Sequence, residues 1–248
     1  MRRVFVTATG TGVGKTFVMC RLVEELRSAG GWRSAEEWRL KPLPRTGGHG
    51  RPARLRVLKP VVTGFDARDA GASDPGRLLR SQGSPSSRAH LDATSPWRFA
   101  APLSPDMAAR REDRVIPFDE LIAFCTQDVQ AELTLIEGIG GVMVPLDEQH
   151  TVLDWIERLA PQVLLVAGSY LGTLSHTLTA AAALGGRGVT PAAVIVSESA
   201  HAPVALAETT ATLQRLLPGT RVVGLPREPT SSVEPPPLLP LLEGVIAT

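Results

Sequence analysis

The chain has little cysteine and little aromatic surface: 2 Cys, 1 Tyr and an aromatic content of 4% in 248 residues. Cys20 and Cys125 lie in apolar helical patterns without metal-ligand spacing, which excludes a disulfide framework and points to a reducing, cytoplasmic compartment. No apolar run approaches the roughly 20 residues that cross a bilayer, so no membrane role is expected. The first residues enter a strand pattern at once, which leaves no room for a signal peptide. The formal net charge is only +1, which argues against nucleic-acid binding through a global positive field. There is no internal repeat, since the two Leu-Lys-Pro triplets at 40 and 58 are too short to be one.

What remains is ordinary for a soluble enzyme: 43% hydrophobic and 21% charged residues, in a length that suits one large α/β domain spanning 1–248. Val4, Phe5, Val6 and Thr7 read as a buried strand. A glycine-rich turn follows, Thr9-Gly10-Thr11-Gly12-Val13-Gly14-Lys15-Thr16. Apolar residues then recur at helical spacing through Val18, Leu22, Val23 and Leu26. Strand, glycine loop, Gly-Lys-Thr and helix together are the setting of a phosphate-binding loop. Glycines let backbone N–H groups turn inward around a phosphate, and the helix N-terminus adds partial positive charge. Thr9 stands where the usual pattern has glycine, and Gly10 and Gly12 supply the flexibility instead.

From Gly31 to Arg56 there are seven Lys or Arg against two Glu, with prolines and glycines but no periodicity. Residues 31–54 therefore read as a basic insertion. Order resumes with a strand at Leu55–Leu58 that runs on into Lys59-Pro60-Val61-Val62-Thr63-Gly64. Ser73 or Asp74 caps a helix with Pro75 in its first turn, 83–96 is loop-like, and Ser104 can cap a helix opening at Pro105. Val115 to Ala131 reads as an amphipathic helix. Leu133–Gly138 is a buried strand ending in Glu137, where parallel sheets place their chemistry. Helices over 151–160, 173–184 and 203–217 alternate with strands over 163–167, 193–196 and 221–224. That alternation predicts a doubly wound, mostly parallel α/β sheet with helices on both faces. The tail from 229 is proline-rich, but 238–246 is apolar enough to dock.

Six motifs occur in order: Gly-Thr-Gly-Val-Gly-Lys-Thr, Lys-Pro-Val-Val-Thr-Gly, Ser-Asp, Ala-Pro-Leu-Ser-Pro, Ile-Glu-Gly-Ile-Gly-Gly and Leu-Gly-Thr-Leu-Ser-His. Together they resemble the dethiobiotin synthetase family over most of residues 2–227, a P-loop NTPase-like fold. The resemblance implies an ATP-dependent ligase that carboxylates 7,8-diaminononanoate with CO₂ and closes a ureido ring through a phosphorylated carbamate. It implies a homodimer with shared sites and Mg²⁺ as cofactor. Carried over by position, Thr11, Gly12, Val13, Gly14, Lys15 and Thr16 hold the phosphates. Thr16, Asp74 and Glu137 hold the metal, a set of hard oxygens that suits Mg²⁺. Lys15 and Lys59 serve the carbamate and the transferring group, and Thr63 lies near the substrate. Leu171, Gly172, Thr173 and Ser175 match the segment that holds the substrate carboxylate of the neighbouring subunit. Ser197 and Pro226 fall on the nucleobase side.

Bland readings stand beside these. Asp74 fits a helix cap, Lys59 fits an edge lysine and Thr173 fits a simple cap. Lys41, in the other Leu-Lys-Pro, competes with Lys59 and has the more usual spacing from Lys15. Lys59 is preferred because a strand pattern precedes it and Val-Val-Thr-Gly follows. Ser175 replaces an asparagine frequent in the family, which removes one amide donor from the carboxylate segment, and Ser197 replaces another on the purine side, which leaves the nucleobase open. Two other readings are a partner-binding ATPase switch of the partitioning type and a diverged synthetase acting on another amine or carboxylate. The switch ATPases carry a second lysine inside the loop, and Thr9 to Val13 has none.

Overall fold

The computed structural model describes residues 2–29, 32–34, 53–127, 130–227 and 235–243. In chain order the regular elements begin with β1 (Arg2–Ala8), α1 (Lys15–Ser28), β2 (Trp32–Ser34), β3 (Ala53–Leu58) and β4 (Val61–Thr63). Then come α2 (Asp74–Ser81), α3 (Arg88–Thr94), β5 (Trp97–Phe99), α4 (Pro105–Arg111), α5 (Phe118–Thr126) and β6 (Leu133–Glu137). The last part holds α6 (Val152–Leu159), β7 (Gln162–Gly168), α7 (Thr173–Gly185), β8 (Ala193–Ser197), α8 (Leu206–Leu216) and β9 (Arg221–Leu225), and a 3₁₀ turn at Leu239–Leu242 follows.

A parallel sheet of seven strands runs in the order β2-β3-β6-β1-β7-β8-β9. Its inner strands are apolar on both faces because helices cover both. Side chains alternate across a strand, so Val4, Val6 and Ala8 face one layer and Phe5 faces the other. The first layer packs α1, Leu78 of α2 and the tail residues Leu238, Leu241 and Leu242 against the sheet. The second packs residues of α5, α6, α7 and α8, centred on Trp155 edge-on to Phe5 at 4.8 Å. The order reverses at β1: the chain fills one side of it with β3 and β6, then the other with β7, β8 and β9. The carboxyl end beside such a reversal is where an open α/β sheet leaves a crevice.

Several elements differ from the sequence reading. The segment 31–54 is not wholly irregular, since β2 lies in it and pairs Trp32 with Ala53 and Ser34 with Leu55. A three-residue strand has no periodicity of its own, and its place in the sheet is set by the pairing with β3. Residues 35–52, including Lys41, lie outside the described residues, as do Val129 and 244–246. The strand read at Leu55–Leu58 is part of β3, and the segment it runs into turns at Lys59-Pro60 and forms a strand of its own, β4. Pro60 has no N–H to give, Lys59 N donates to Thr94 O at 3.1 Å, and β4 pairs with β5 in a separate small sheet. The loop expected over 83–96 contains α3, a helix with only Leu91 and Thr94 buried and so almost no pattern to read. The helix expected over 115–131 is confined to α5, which starts after Pro117 and carries Asp119 and Glu120 in its first turn, where acids favour a helix N-terminus. Likewise α8 starts at Leu206 and not at 203. Ser104 does precede α4, but its Oγ donates to Asp106 Oδ1 at 2.5 Å and caps no backbone N–H.

Candidate active site

Three neighbouring strands, β3, β6 and β1, end side by side and deliver Lys59, Glu137 and the glycine loop. Register explains the meeting. Leu58 and Phe5 both pair with Ile136, and Val6 pairs with Glu137, so the residue after Leu58 stands beside the end of β6. Lys59 Nζ lies 2.9 Å from Glu137 Oε1 and donates to Gly138 O at 2.5 Å. Thr16 Oγ1, in the first turn of α1, donates to the same Oε1 at 2.8 Å. Lys59 is 2% exposed and Glu137 1% exposed, so the pair is fully desolvated. Such pairs are weak net stabilisers, but breaking one is costly. Its persistence at a strand end points to chemistry.

The glycine loop is held open by backbone pairing. Thr9 N donates to Val166 O at 2.9 Å, Val142 N to Ala8 O at 3.1 Å and Gly138 N to Val6 O at 3.0 Å. Gly14 is the N-cap of α1 with φ 101°, offers no side-chain cap, and leaves the first-turn amides free for an anion. A Cβ on Gly14 would stand 2.6 Å from Ser197 Oγ, so glycine is required here on two counts. Gly138 is tight for a different reason: a Cβ there would meet Phe5 Cε1 at 2.8 Å.

A cavity of about 550 Å³ opens over this point. It is lined by Thr11, Gly12, Gly14, Lys15 and Thr16 of the loop, and by Lys59, Thr63, Asp74 and Glu137. Lys15 Nζ donates to Gly10 O at 2.9 Å and Gly140 O at 2.7 Å. Burial pulls its pKa down from 10.5 to about 8, and the Lys59 charge adds to that; Glu137 and Asp74 pull the other way. The helix-cap reading of Asp74 falls away, because Ser73 caps α2 by accepting from Gly76 N at 3.2 Å. The Asp74 carboxylate is thus left at the cavity wall with no hydrogen-bond or ion-pair partner among the described residues. Glu137 Oε2 is buried and also without a partner, an arrangement that calls for an explanation in a ligand or ion. Asp74, Glu137 and the Thr16 hydroxyl are hard oxygens on one wall, a donor set that fits Mg²⁺. Among the described residues there is no cluster of three or more His, Cys, Asp or Glu that could hold a metal, so any cation here must take part of its shell from Thr16 and from a ligand.

The other expected residues lie elsewhere. Val13 is buried in the core under α1. Ser197 ends β8 beneath Gly14, and Pro226 is half-buried after β9; neither lines the cavity. Leu171 is 86% exposed, Gly172 caps α7 with φ 96°, and Ser175 is exposed. Thr173 is buried and its hydroxyl donates to Gly168 O at 2.6 Å. Thus 171–175 forms no part of this chain's own cavity. His176 is exposed and pairs with Tyr170 Oη at 2.8 Å. Sequence reasoning missed Phe17, Arg77, Pro102, Leu103, Ile139 and Val144 as lining residues. The Ala-Pro-Leu-Ser-Pro motif was a signal for two of them; nothing local marked Arg77.

The family model described as AAA domain matches residues 50–234, the larger part of the chain. The ATP-dependent dethiobiotin synthetase of Acidiphilium cryptum (strain JF-5) is 44% identical over 223 residues, covering 89% of this chain and 90% of that protein. The protein of the same name from Caulobacter sp. (strain K31) is 40% identical over 230 residues, with 92% and 89% covered. Among solved structures, a ParA family ATPase from Chlorobium tepidum TLS covers 92% of this chain and 86% of its own at 12% identity and a TM-score of 0.49. The MinD cell division protein of Aquifex aeolicus covers 99% and 87% at 12% identity and a TM-score of 0.46. Likeness at that level adds nothing to the fold already described. Relatives this similar, over nearly the whole of both chains, and a site built at the ends of the three expected strands lead to one statement: the chain belongs to the ATP-dependent dethiobiotin synthetase family.

Proposed function

We propose that this chain is a dethiobiotin synthetase: it uses ATP and CO₂ to convert 7,8-diaminononanoate into a cyclic urea, working as a homodimer in the cytoplasm. The observation that carries the reading is the convergence of Lys15, Lys59, Thr16, Asp74 and Glu137 on one cavity above the glycine loop. One amine of the diamine and CO₂ form a carbamate. A carbamate oxygen attacks the terminal phosphorus of ATP, and ADP leaves. The second amine then attacks the carbamate carbon, the ring closes and phosphate departs.

The carbamate is itself the nucleophile, so the protein has to position charge more than supply a reactive side chain. Carbamate and triphosphate together concentrate negative charge in a desolvated space, where fixed cations act strongly. Lys59, held by Glu137 and Gly138 O, is aimed at the carbamate and the transferring oxygens. Lys15 exchanges its carbonyl partners at Gly10 and Gly140 for phosphate oxygens. Thr16, Asp74 and Glu137 would hold Mg²⁺, which when bound neutralises phosphate charge. Thr11, Gly12 and Gly14 surround the phosphates, with the Val13 backbone between them and Thr63 on the substrate side. Leu171, Gly172, Thr173 and Ser175 serve the neighbouring subunit's substrate carboxylate at the N-terminus of α7, where the helix end favours an anion. Their absence from the lining of this chain's own cavity and the exposure of Leu171 support that division. Ser197 and Pro226 border the nucleobase.

The test is phosphate release from ATP measured with and without 7,8-diaminononanoate and bicarbonate. Release that requires both is expected. Hydrolysis indifferent to the diamine would overturn the reading.

A further inference from the structure

Arg77 lines the cavity from α2, three residues beyond Asp74 and therefore on the same helix face. Its guanidinium has no hydrogen-bond or ion-pair partner among the described residues. The neighbouring arginines differ. Arg80 on the same helix donates to Gly71 O at 3.1 Å, Arg98 is paired with Asp92 and Arg110 with Asp106. Arg77 is exposed, and with Lys15 and Lys59 against Asp74 and Glu137 it leaves the cavity lining with an excess of positive charge that an anion can meet.

Its place shows which part of an anion it meets. Lys15 Nζ is held at Gly140 O and Lys59 Nζ at Gly138 O and Glu137, so both ammonium groups stand at the strand ends. Arg77 instead enters the cavity wall from α2, the helix that also carries Asp74, with Thr16 and Phe17 of α1 on the same wall. A triphosphate whose transferring end lies at Lys59 brings its remaining phosphates past Arg77. The planar fork of a guanidinium matches phosphate oxygens in pairs.

We infer that Arg77 grips the non-transferred phosphates of the nucleotide, the part that leaves as ADP. The inference rests on the reading of the cavity as a nucleoside-triphosphate site. The experiment is calorimetric titration of the full-length chain with ADP and Mg²⁺, followed by steady-state kinetics. Arg77→Ala should weaken ADP binding roughly tenfold and Arg77→Lys about threefold, since a point charge keeps the attraction but loses the fork. Arg80→Ala, on the same helix, should stay within about twofold. In turnover, KM for ATP should rise with the ADP dissociation constant while KM for the diamine holds. ADP binding in Arg77→Ala within twofold of the parent, or a rise confined to the diamine KM, would overturn the assignment. The ADP titration needs no turnover, so loss of diamine-dependent activity in the parent protein would remove the proposed reaction and leave this result to be read by itself.

Discussion

Lys15 should destabilise the empty protein, and replacing it with methionine should make the fold more robust. Its ammonium is buried, 7% exposed, and faces Lys59 across the cavity. Folding lowers its pKa from 10.5 to about 8. At about 1.4 kcal/mol per pH unit, the ionised side chain costs the ligand-free fold about 3 kcal/mol. The sign follows from proton counts. Between pH 8 and 10.5 the unfolded chain holds the proton that the folded one has lost, so stability rises with pH across that window. Below pH 8 the full cost is present. Methionine forfeits two hydrogen bonds to Gly10 O and Gly140 O, worth about 1 kcal/mol each. Lys15→Met should therefore be about 1–3 kcal/mol more stable at pH 7, the gap closing as pH rises towards 10.

The assay is urea unfolding of both proteins at several pH values from 7 to 10, free of nucleotide, phosphate and Mg²⁺. The comparison between the two chains matters, because Cys20 and Cys125 work in the opposite direction. Burial raises them from 9.0 to about 11 and about 12, so above pH 9 they lower stability equally in both. With ATP and Mg²⁺ at a hundred times the dissociation constant, the parent should gain about 2.7 kcal/mol and the variant almost nothing. A variant no more stable than its parent at pH 7, or a gap that does not change with pH, would refute the reasoning.

Other outcomes follow from the same geometry. Lys59→Met strands Glu137 as an unpaired buried charge and should cost about 3–5 kcal/mol in urea unfolding; adding Glu137→Leu should recover most of the loss in stability, with turnover still abolished. Gly14→Ala forces a side chain at φ 101° against Ser197 Oγ. It should lower stability by about 1–3 kcal/mol and weaken ADP binding, and Ser197→Gly in the same chain should return part of the stability. Cys125 is fully buried and its thiol is pushed up to about 12. Mass spectrometry after iodoacetamide treatment at pH 8 should find it unmodified until denaturant is added.

How much of this was legible in the chain depends on how local each signal was. The phosphate loop was readable because its glycines, lysine and flanking periodicities all lie within residues 4–26. Glu137 was readable because an acid ending a five-residue apolar strand has few structural explanations. The preference for Lys59 rested on Val57 and Leu58, which do lie in β3, and Lys59 follows them into an ion pair with Glu137; Lys41 lies outside the described residues. The short elements β2, β5 and α3 were not legible: β2 and β5 are three residues each, too short to imprint a period, and in α3 only Leu91 and Thr94 are buried. The break at Lys59-Pro60 was visible as a proline, but β5, the strand that β4 pairs with, lay thirty-six residues away in register. Arg77 escaped because an arginine on a short amphipathic helix looks like any solvated residue until the cavity is known.

By itself, then, the order of residues determined which strands are buried on both faces, where the anion-binding turn lies and which residue types could carry the chemistry. These are properties of spacing and composition within one element. It did not determine that β6 slides between β3 and β1. That arrangement alone puts Lys59 beside Glu137, brings two ammonium groups to one cavity and depresses the pKa of Lys15. Strand adjacency is set by how two apolar layers close over a common sheet, a balance over the whole chain that no single segment records.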